Sequence, residues 1–164
     1  MSTTMTADRA AIRAAVESMA PDFAALVAEI GEGGWKKKSG IPAFTCGQLA
    51  WHMAASTSFL TGQIEGASKG KALNPPAFLR PMLFKMSELR VRVASRKATP
   101  ASVLADLRDG TTRLLAVLDS VDDAALNSSA TMMGETRTIG SMFQMPVDHL
   151  AEHTAHIRAG LAGA

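Results

Sequence analysis

The stretch that decides the fold is AAIRAAVESMAPDFAALVAEI, residues 10–30. Its large apolar residues recur at alternating steps of four and three, which is the spacing of one face of an amphipathic helix. They are Ile12, Val16, Met19, Phe23, Leu26 and Ile30. Pro21 lies inside the stretch, but the pattern continues in phase across it. This predicts one kinked helix, or two abutting helices, from about residue 7 to residue 30.

Two threonines mark the starts of the next two long helices. Thr45 precedes Gln48 by three residues, which is the pattern of a capping box and predicts a helix that runs to about residue 65. Thr99-Pro100 combines an N-cap residue with proline at the first helical position. That pair predicts the start of a third helix, which continues to about residue 118.

Thr138 is the predicted N-cap of a last helix at residues 139–161, with Pro146 inside it. Four long helical segments without a convincing alternating strand pattern are typical of a helix bundle. The sequence therefore predicts an all-α fold, an antiparallel four-helix bundle, in which residues 1–164 form a single domain.

Two connecting segments have contrasting compositions. Residues 66–97 contain three prolines and eight Lys or Arg residues against one acidic residue. We expect a long basic crossover between the second and third helices there, with a short helix around residues 77–86. Residues 122–137 predict a loop with at most one short turn.

Composition excludes several classes of protein. The chain has no run of eighteen apolar residues and no signal-like N-terminal core, so we expect no membrane span and a cytoplasmic location. Its single cysteine, Cys46, excludes an intrachain disulfide and is interpreted as a small buried residue. A net charge of +2 with 5% aromatic residues argues against nucleic acid as a partner.

Three of the four histidines lie close together near the C-terminus. His149 and His153 are four residues apart on the predicted last helix, so they project from one face and can chelate one ion. A third ligand has to come from another helix, and His52 is the only histidine outside the cluster. His156 is within reach of the same face, either as a residue that supports the ligands or as an alternative ligand. Three imidazoles leave positions open for water or substrate, as catalytic sites do.

The same stretch contains a competing motif. His149, Glu152 and His153 form the pattern H-x-x-E-H of inverted zinc peptidases, in which the glutamate is a general base. The motif therefore suggests a metal-dependent hydrolase as an alternative function. It is a minor alternative, because the chain is short for a peptidase. Glu152 is otherwise interpreted as a solvated helix position or as a proton acceptor beside the site.

Residues 45–53, TCGQLAWHM, resemble the second-helix motif of the DinB-like superfamily, which includes mycothiol-dependent maleylpyruvate isomerases and bacillithiol transferases. Trp35, Thr45, Leu49 and His52 fit that motif. Residues 149–157 resemble the closing helix of the family, where two histidines four apart precede an isoleucine. Residues 138–140, Thr-Ile-Gly, resemble the usual opening of that closing helix in the family. Pro146, inside the helix, departs from the family pattern.

The resemblance implies a bundle with a three-histidine metal centre whose ligands, by position, are His52, His149 and His153. Family members bind zinc or nickel, often as dimers, and three imidazoles also suit copper or iron. The resemblance further implies a metal-dependent transferase or isomerase that acts with a low-molecular-weight thiol on small electrophiles. The alternative is a non-catalytic metal-binding or stress-linked dimeric bundle, or simply a dimerisation module. We expect a homodimer with a small-molecule substrate or thiol as its other partner.

Four basic residues of the crossover are candidates for holding carboxylates of such a thiol. They are Arg80, Lys85, Arg90 and Arg92, of which Arg80 and Arg90 are the predicted cofactor-binding pair. The alternative interpretation is a solvated basic surface.

Overall fold

Long helices form the body of the protein in the computed structural model, which describes residues 7–163. The predicted single domain, residues 1–164, extends beyond the described residues at both ends. In chain order the elements are α1 (Arg9–Gly34), α2 (Cys46–Ser68), α3 (Arg80–Ala94), α4 (Pro100–Ser120), α5 (Asp123–Asn127), β1 (Ser129–Met132), β2 (Glu135–Thr138), α6 (Ile139–Met142) and α7 (Gln144–Ala162). Short 3-10 turns, Ala77–Leu79 and Ser95–Lys97, flank α3. The predicted all-α fold is confirmed.

The four long helices of the bundle are α1, α2, α4 and α7. Helices α1 and α2 each pack against both α4 and α7. Arg9, at the start of α1, donates a hydrogen bond to the carbonyl of Leu118 near the end of α4, so these two helices run in opposite directions. Cys46, at the start of α2, contacts the carbonyl of Ile157 near the end of α7, which makes α2 and α7 antiparallel as well.

The predicted antiparallel arrangement is wrong for α2 and α4, which run in the same direction. Gly110 of α4 packs against Thr57 of α2, and Arg113, further along α4, forms an ion pair with Glu65, further along α2. The long connection after α2 explains this arrangement, because it returns the chain to the end of the bundle at which α2 began. The connection carries α3, which is longer than the predicted helix at residues 77–86.

Proline positions predict the helix breaks only in part. Helix α1 passes through Pro21 and extends to Gly34, and its non-helical residue is Gly31, with φ of 55°. Glycine adopts this left-handed conformation without steric cost, whereas Pro21 only removes one helical hydrogen bond on an exposed face.

The predicted single helix at residues 139–161 is wrong, because the structure divides it into α6 and α7 at Phe143. A proline ring clashes with the carbonyl four residues earlier, and for Pro146 that residue is Met142, where α6 ends. Pro146 thus lies in the first turn of α7, where its missing N–H leaves no helical hydrogen bond unmade.

The predicted loop at residues 122–137 is also wrong in detail. It contains the short helix α5 and an antiparallel hairpin in which Met132 pairs with Glu135. The two turn residues, Met133 and Gly134, have φ of 53° and 85°, as tight hairpin turns require. The hairpin tip is attached to the crossover by a hydrogen bond from the Met133 N–H to the carbonyl of Leu73.

The core confirms the apolar pattern of the first helix. Five of its six apolar residues are buried, and Ile12 packs at the margin; the five are Val16, Met19, Phe23, Leu26 and Ile30. The loop after α1 packs closely against the start of α2. The ring of Trp35 occupies the space that a Cβ at Gly47 would need, so this contact requires glycine. Within residues 7–163, no helix has an apolar stretch long enough to cross a membrane.

Candidate metal centre

The antiparallel contact between α2 and α7 brings three histidines together. His52 comes from the middle of α2, and His149 and His153 come from successive turns of α7. Their ring centroids are 5.0 Å apart for His52 and His149, 5.1 Å for His52 and His153, and 4.4 Å for the pair on α7. Each ring offers one nitrogen, and the three nitrogens lie within 4.8 Å of one another.

This spacing fits one small cation. Nitrogens bound at about 2.0–2.1 Å to a tetrahedral ion lie roughly 3.3 Å from one another. The Nε2 atoms of His52 and His149 are already 3.1 Å apart. The remaining separations among the three nitrogens are at most 4.8 Å.

Local sequence determines which way these rings face. His52 lies between Leu49 and Met53, which are fully buried, so this side of α2 is directed into the bundle. On α7, Leu150 and Ile157 are also buried. Their burial directs the side of α7 that carries His149 and His153 toward α2. His153 is itself buried, with 8% of its surface exposed.

Burial keeps the three imidazoles neutral. Desolvation, together with the neighbouring histidines, lowers the pKa of His52 to about 4. The pKa of His153 is also lowered to about 4, mainly by burial and then by His149. Burial likewise lowers the pKa of His149 from its ordinary value. A histidine must be neutral to bind a metal, and at neutral pH these three imidazoles are in that protonation state.

Two further side chains contact the triad. The Ser56 hydroxyl, one turn after His52, lies 3.3 Å from the Nδ1 of His52. The Nδ1 of His156 lies 3.3 Å from the Nδ1 of His153. His156 therefore touches a candidate ligand without joining the converging set. Glu152 is exposed and lies outside the set too. Sequence reasoning missed Ser56, whose only signal was its position four residues after His52.

A cavity of about 420 Å³ lies beside His52, between α2 and α3. Its walls are mostly apolar and include the hairpin tip at Met133. Its polar side-chain groups, apart from the imidazole of His52, belong to Trp51, Ser56, Ser87 and Arg90. The large ring of Trp51, next to His52 on α2, contributes to the wall.

The four basic candidates of the crossover have different positions. Arg90 lines the cavity. Arg80 does not; its guanidinium lies against Gly134 at the hairpin turn, and its buried Nε has no hydrogen-bond partner among the described residues. Lys85 and Arg92 are exposed on α3 and also lie outside the lining.

Cys46 is fully buried, as the sequence interpretation predicted. Burial raises the pKa of its thiol, so at neutral pH it stays protonated and is a poor nucleophile. The thiol chemistry implied by the resemblance therefore has to involve a thiol from outside the chain.

The sequence matches the family described as the mycothiol maleylpyruvate isomerase N-terminal domain over residues 6–158. No curated protein matches the chain. A crystal structure of a mycothiol-dependent maleylpyruvate isomerase, in a mutant with one histidine replaced by alanine, is similar with a TM-score of 0.72 and 13% identity. Another crystal structure of a mycothiol-dependent maleylpyruvate isomerase has a TM-score of 0.69 and 12% identity.

Each of these similarities covers 97% of this chain and 64% of the solved chain. At such low identity the likeness shows a common fold. The present chain spans less than two thirds of the length of the solved chains. The likeness therefore does not assign the activity of those longer proteins to this chain.

Proposed function

The chain belongs to the mycothiol maleylpyruvate isomerase N-terminal domain family of the DinB-like superfamily, and on this premise we propose that it is a metal-dependent thiol transferase or isomerase. It acts with a low-molecular-weight thiol on small electrophiles. The observation that carries the proposal is the convergence of three neutral imidazoles beside an open cavity. The thiol dependence named for the two similar crystal structures supports it.

His52, His149 and His153 would hold the cation, for which zinc is the first candidate and nickel the second. When bound by three neutral ligands, a divalent cation retains its full charge, lowers the pKa of a thiol and keeps a position open for it. The donor set fits this requirement, because each imidazole is uncharged at neutral pH and the three nitrogens face one another.

The surrounding residues orient the ligands and receive the substrate. A hydrogen bond between the Nδ1 atoms of His153 and His156 fixes the His153 ring and leaves its Nε2 free for the cation. The Ser56 hydroxyl supports His52 in the same way. An electrophile bound in the cavity beside His52 would lie next to the three histidines, which would raise its effective concentration at a thiol held there.

Several accompanying predictions stay predictions. They are the homodimer, the cytoplasmic location, and the roles of Arg80 and Arg90 in holding a carboxylate of the thiol. Only Arg90 lines the cavity, so it is the better placed of the two.

Metal content and thiol transfer test the proposal together. The purified protein is assayed for bound metal and for consumption of mycothiol and other small thiols with a panel of electrophiles. We compare His149→Ala with Glu152→Gln, a matched control on the same helix whose side chain is exposed. Loss of metal and of transfer in His149→Ala, with both retained in Glu152→Gln, supports the proposal.

Other results favour the alternatives. Bound metal without transfer of any thiol points to the non-catalytic metal-binding bundle. Peptide or ester hydrolysis that is lost in Glu152→Gln points to the metal-dependent hydrolase. A protein that binds no zinc or nickel overturns the proposal.

A further inference from the structure

The cavity beside His52 exposes large apolar side chains that nothing in the described chain covers. Phe59 is 46% exposed, Leu73 is 45% exposed and Met86 is 59% exposed. All three line the cavity, on walls supplied by α2, the crossover and α3. Apolar surface gathered in a concave site is the usual mark of a ligand with an apolar body, because binding removes that surface from water.

The charged lining of the cavity is limited to one side. Among the described lining residues, Arg90 is the only one with a permanent charge. Ser87 precedes Arg90 by three residues on α3, so its hydroxyl lies on the same helix face. Arg90 forms no ion pair with a carboxylate of the described chain, and its guanidinium is available to a ligand.

The volume limits the size of the ligand. A water molecule occupies roughly 30 Å³ of liquid. A cavity of about 420 Å³ therefore accommodates a ligand of on the order of a dozen non-hydrogen atoms. A single cationic residue matches one anionic group on that ligand.

We propose that the cavity binds an amphiphilic monoanion, a molecule with an apolar body and one carboxylate, which pairs with Arg90. This inference rests on the proposed function, in which such a molecule is the electrophile. It defines the substrate class and assigns Arg90 to the carboxylate of the substrate in place of a carboxylate of the thiol. The apolar body covers Phe59, Leu73 and Met86, and the carboxylate contacts Arg90 and Ser87. A small dicarboxylate without an apolar body fits poorly, because its second charge meets an apolar wall.

Calorimetric titration of the purified protein, in its native metal state, tests this inference with three unreactive probes that share one carbon chain. The probes are octanoate, 1-octanol and suberate, with one, no and two charged ends. We expect octanoate to bind at least about tenfold more tightly than either of the others, since a charge-assisted contact is formed and no second charge is buried. Equal or tighter binding of suberate overturns the monoanion assignment.

Variants of α3 locate the carboxylate. Arg90→Gln should weaken octanoate binding at least about tenfold and leave 1-octanol unchanged. Arg92→Gln, a matched control that is exposed outside the lining, should change neither. Unchanged octanoate affinity in Arg90→Gln means that the carboxylate binds elsewhere, the metal centre included, and overturns the role of Arg90.

A second variant addresses the apolar wall. Met86→Ser removes apolar surface at an exposed position, so the fold is retained while octanoate and 1-octanol should both bind several-fold more weakly. Neither titration requires thiol transfer. Octanoate binding without transfer therefore overturns only the proposed function, whereas transfer without octanoate binding overturns only the substrate class.

Discussion

Acidification of the metal-free protein from pH 8 to pH 5 should cost it much of its stability, because two buried histidines resist protonation in the fold. His52 and His153 have a pKa of about 4 in the folded protein, against 6.5 for an ordinary histidine. Between these values the unfolded chain binds protons that the folded chain does not bind. The stability contributed by the neutral histidines is therefore fully present above pH 6.5 and is lost as the pH falls toward 4.

The size of the loss follows from the two pKa values. For each histidine, linkage gives about 2 kcal/mol less free energy of unfolding at pH 5 than at pH 8. The two together lose at most about 4 kcal/mol, a large part of the stability of a domain of this size. His149 changes in the same direction, because its pKa is lowered too. Glu65 contributes little between pH 8 and pH 5, because its carboxyl is ionised there in the unfolded chain, with a pKa of 4.5, as well as in the folded protein, where its ion pairs lower the pKa to about 2.

Urea unfolding followed by circular dichroism, with a chelator present, measures the effect at the two pH values. The double variant His52→Asn/His153→Asn is the control, and the comparison is made between pH values within each protein. The variant should lose most of the pH-dependent drop. The reasoning is refuted if the unmodified protein is equally stable at both pH values, or if the double variant retains the full drop.

Two further substitutions test individual contacts. His156→Ala should weaken metal affinity about 10- to 100-fold without abolishing binding, because the ring of His153 loses the partner that fixes it. Competition with a chromophoric chelator measures the affinity. An unchanged affinity would mean that His156 does not support the metal centre. Gly47→Ala should destabilise the protein by about 1–3 kcal/mol, because the new Cβ would lie within 2.5 Å of the Trp35 ring. Gly33→Ala is its control, since a Cβ there meets no atom within 4 Å. Equal thermal midpoints for the two glycine variants would contradict the close approach of Trp35.

Features that depend on short-range physics could be predicted from the sequence. The capping box at the start of α2 is present, with the Thr45 hydroxyl accepting from the Gln48 N–H, because all its atoms lie within one turn. The common face of His149 and His153 follows from the helical period in the same way. His52 could be named because no other histidine remained, and the antiparallel packing of α2 and α7 places it opposite the pair.

Features that depend on tertiary contact could not be predicted. Nothing local distinguishes Arg80 from Arg90, and only the position of α3 against α2 places one beside the hairpin and the other in the cavity. The hairpin itself was missed because Met133-Gly134 lacks the Asn or Asp that usually signals such a turn. The break at Phe143 differs from these, because it follows from local geometry: the ring of Pro146 opposes the carbonyl of Met142.

The central claim is that His52, His149 and His153 bind one divalent cation together. Anomalous diffraction at the zinc absorption edge, from crystals grown with zinc, tests it most directly. We expect one strong peak, at about 2.0–2.1 Å from a nitrogen of each of the three rings. A peak that any one of these imidazoles does not reach, or no peak between α2 and α7, would contradict it.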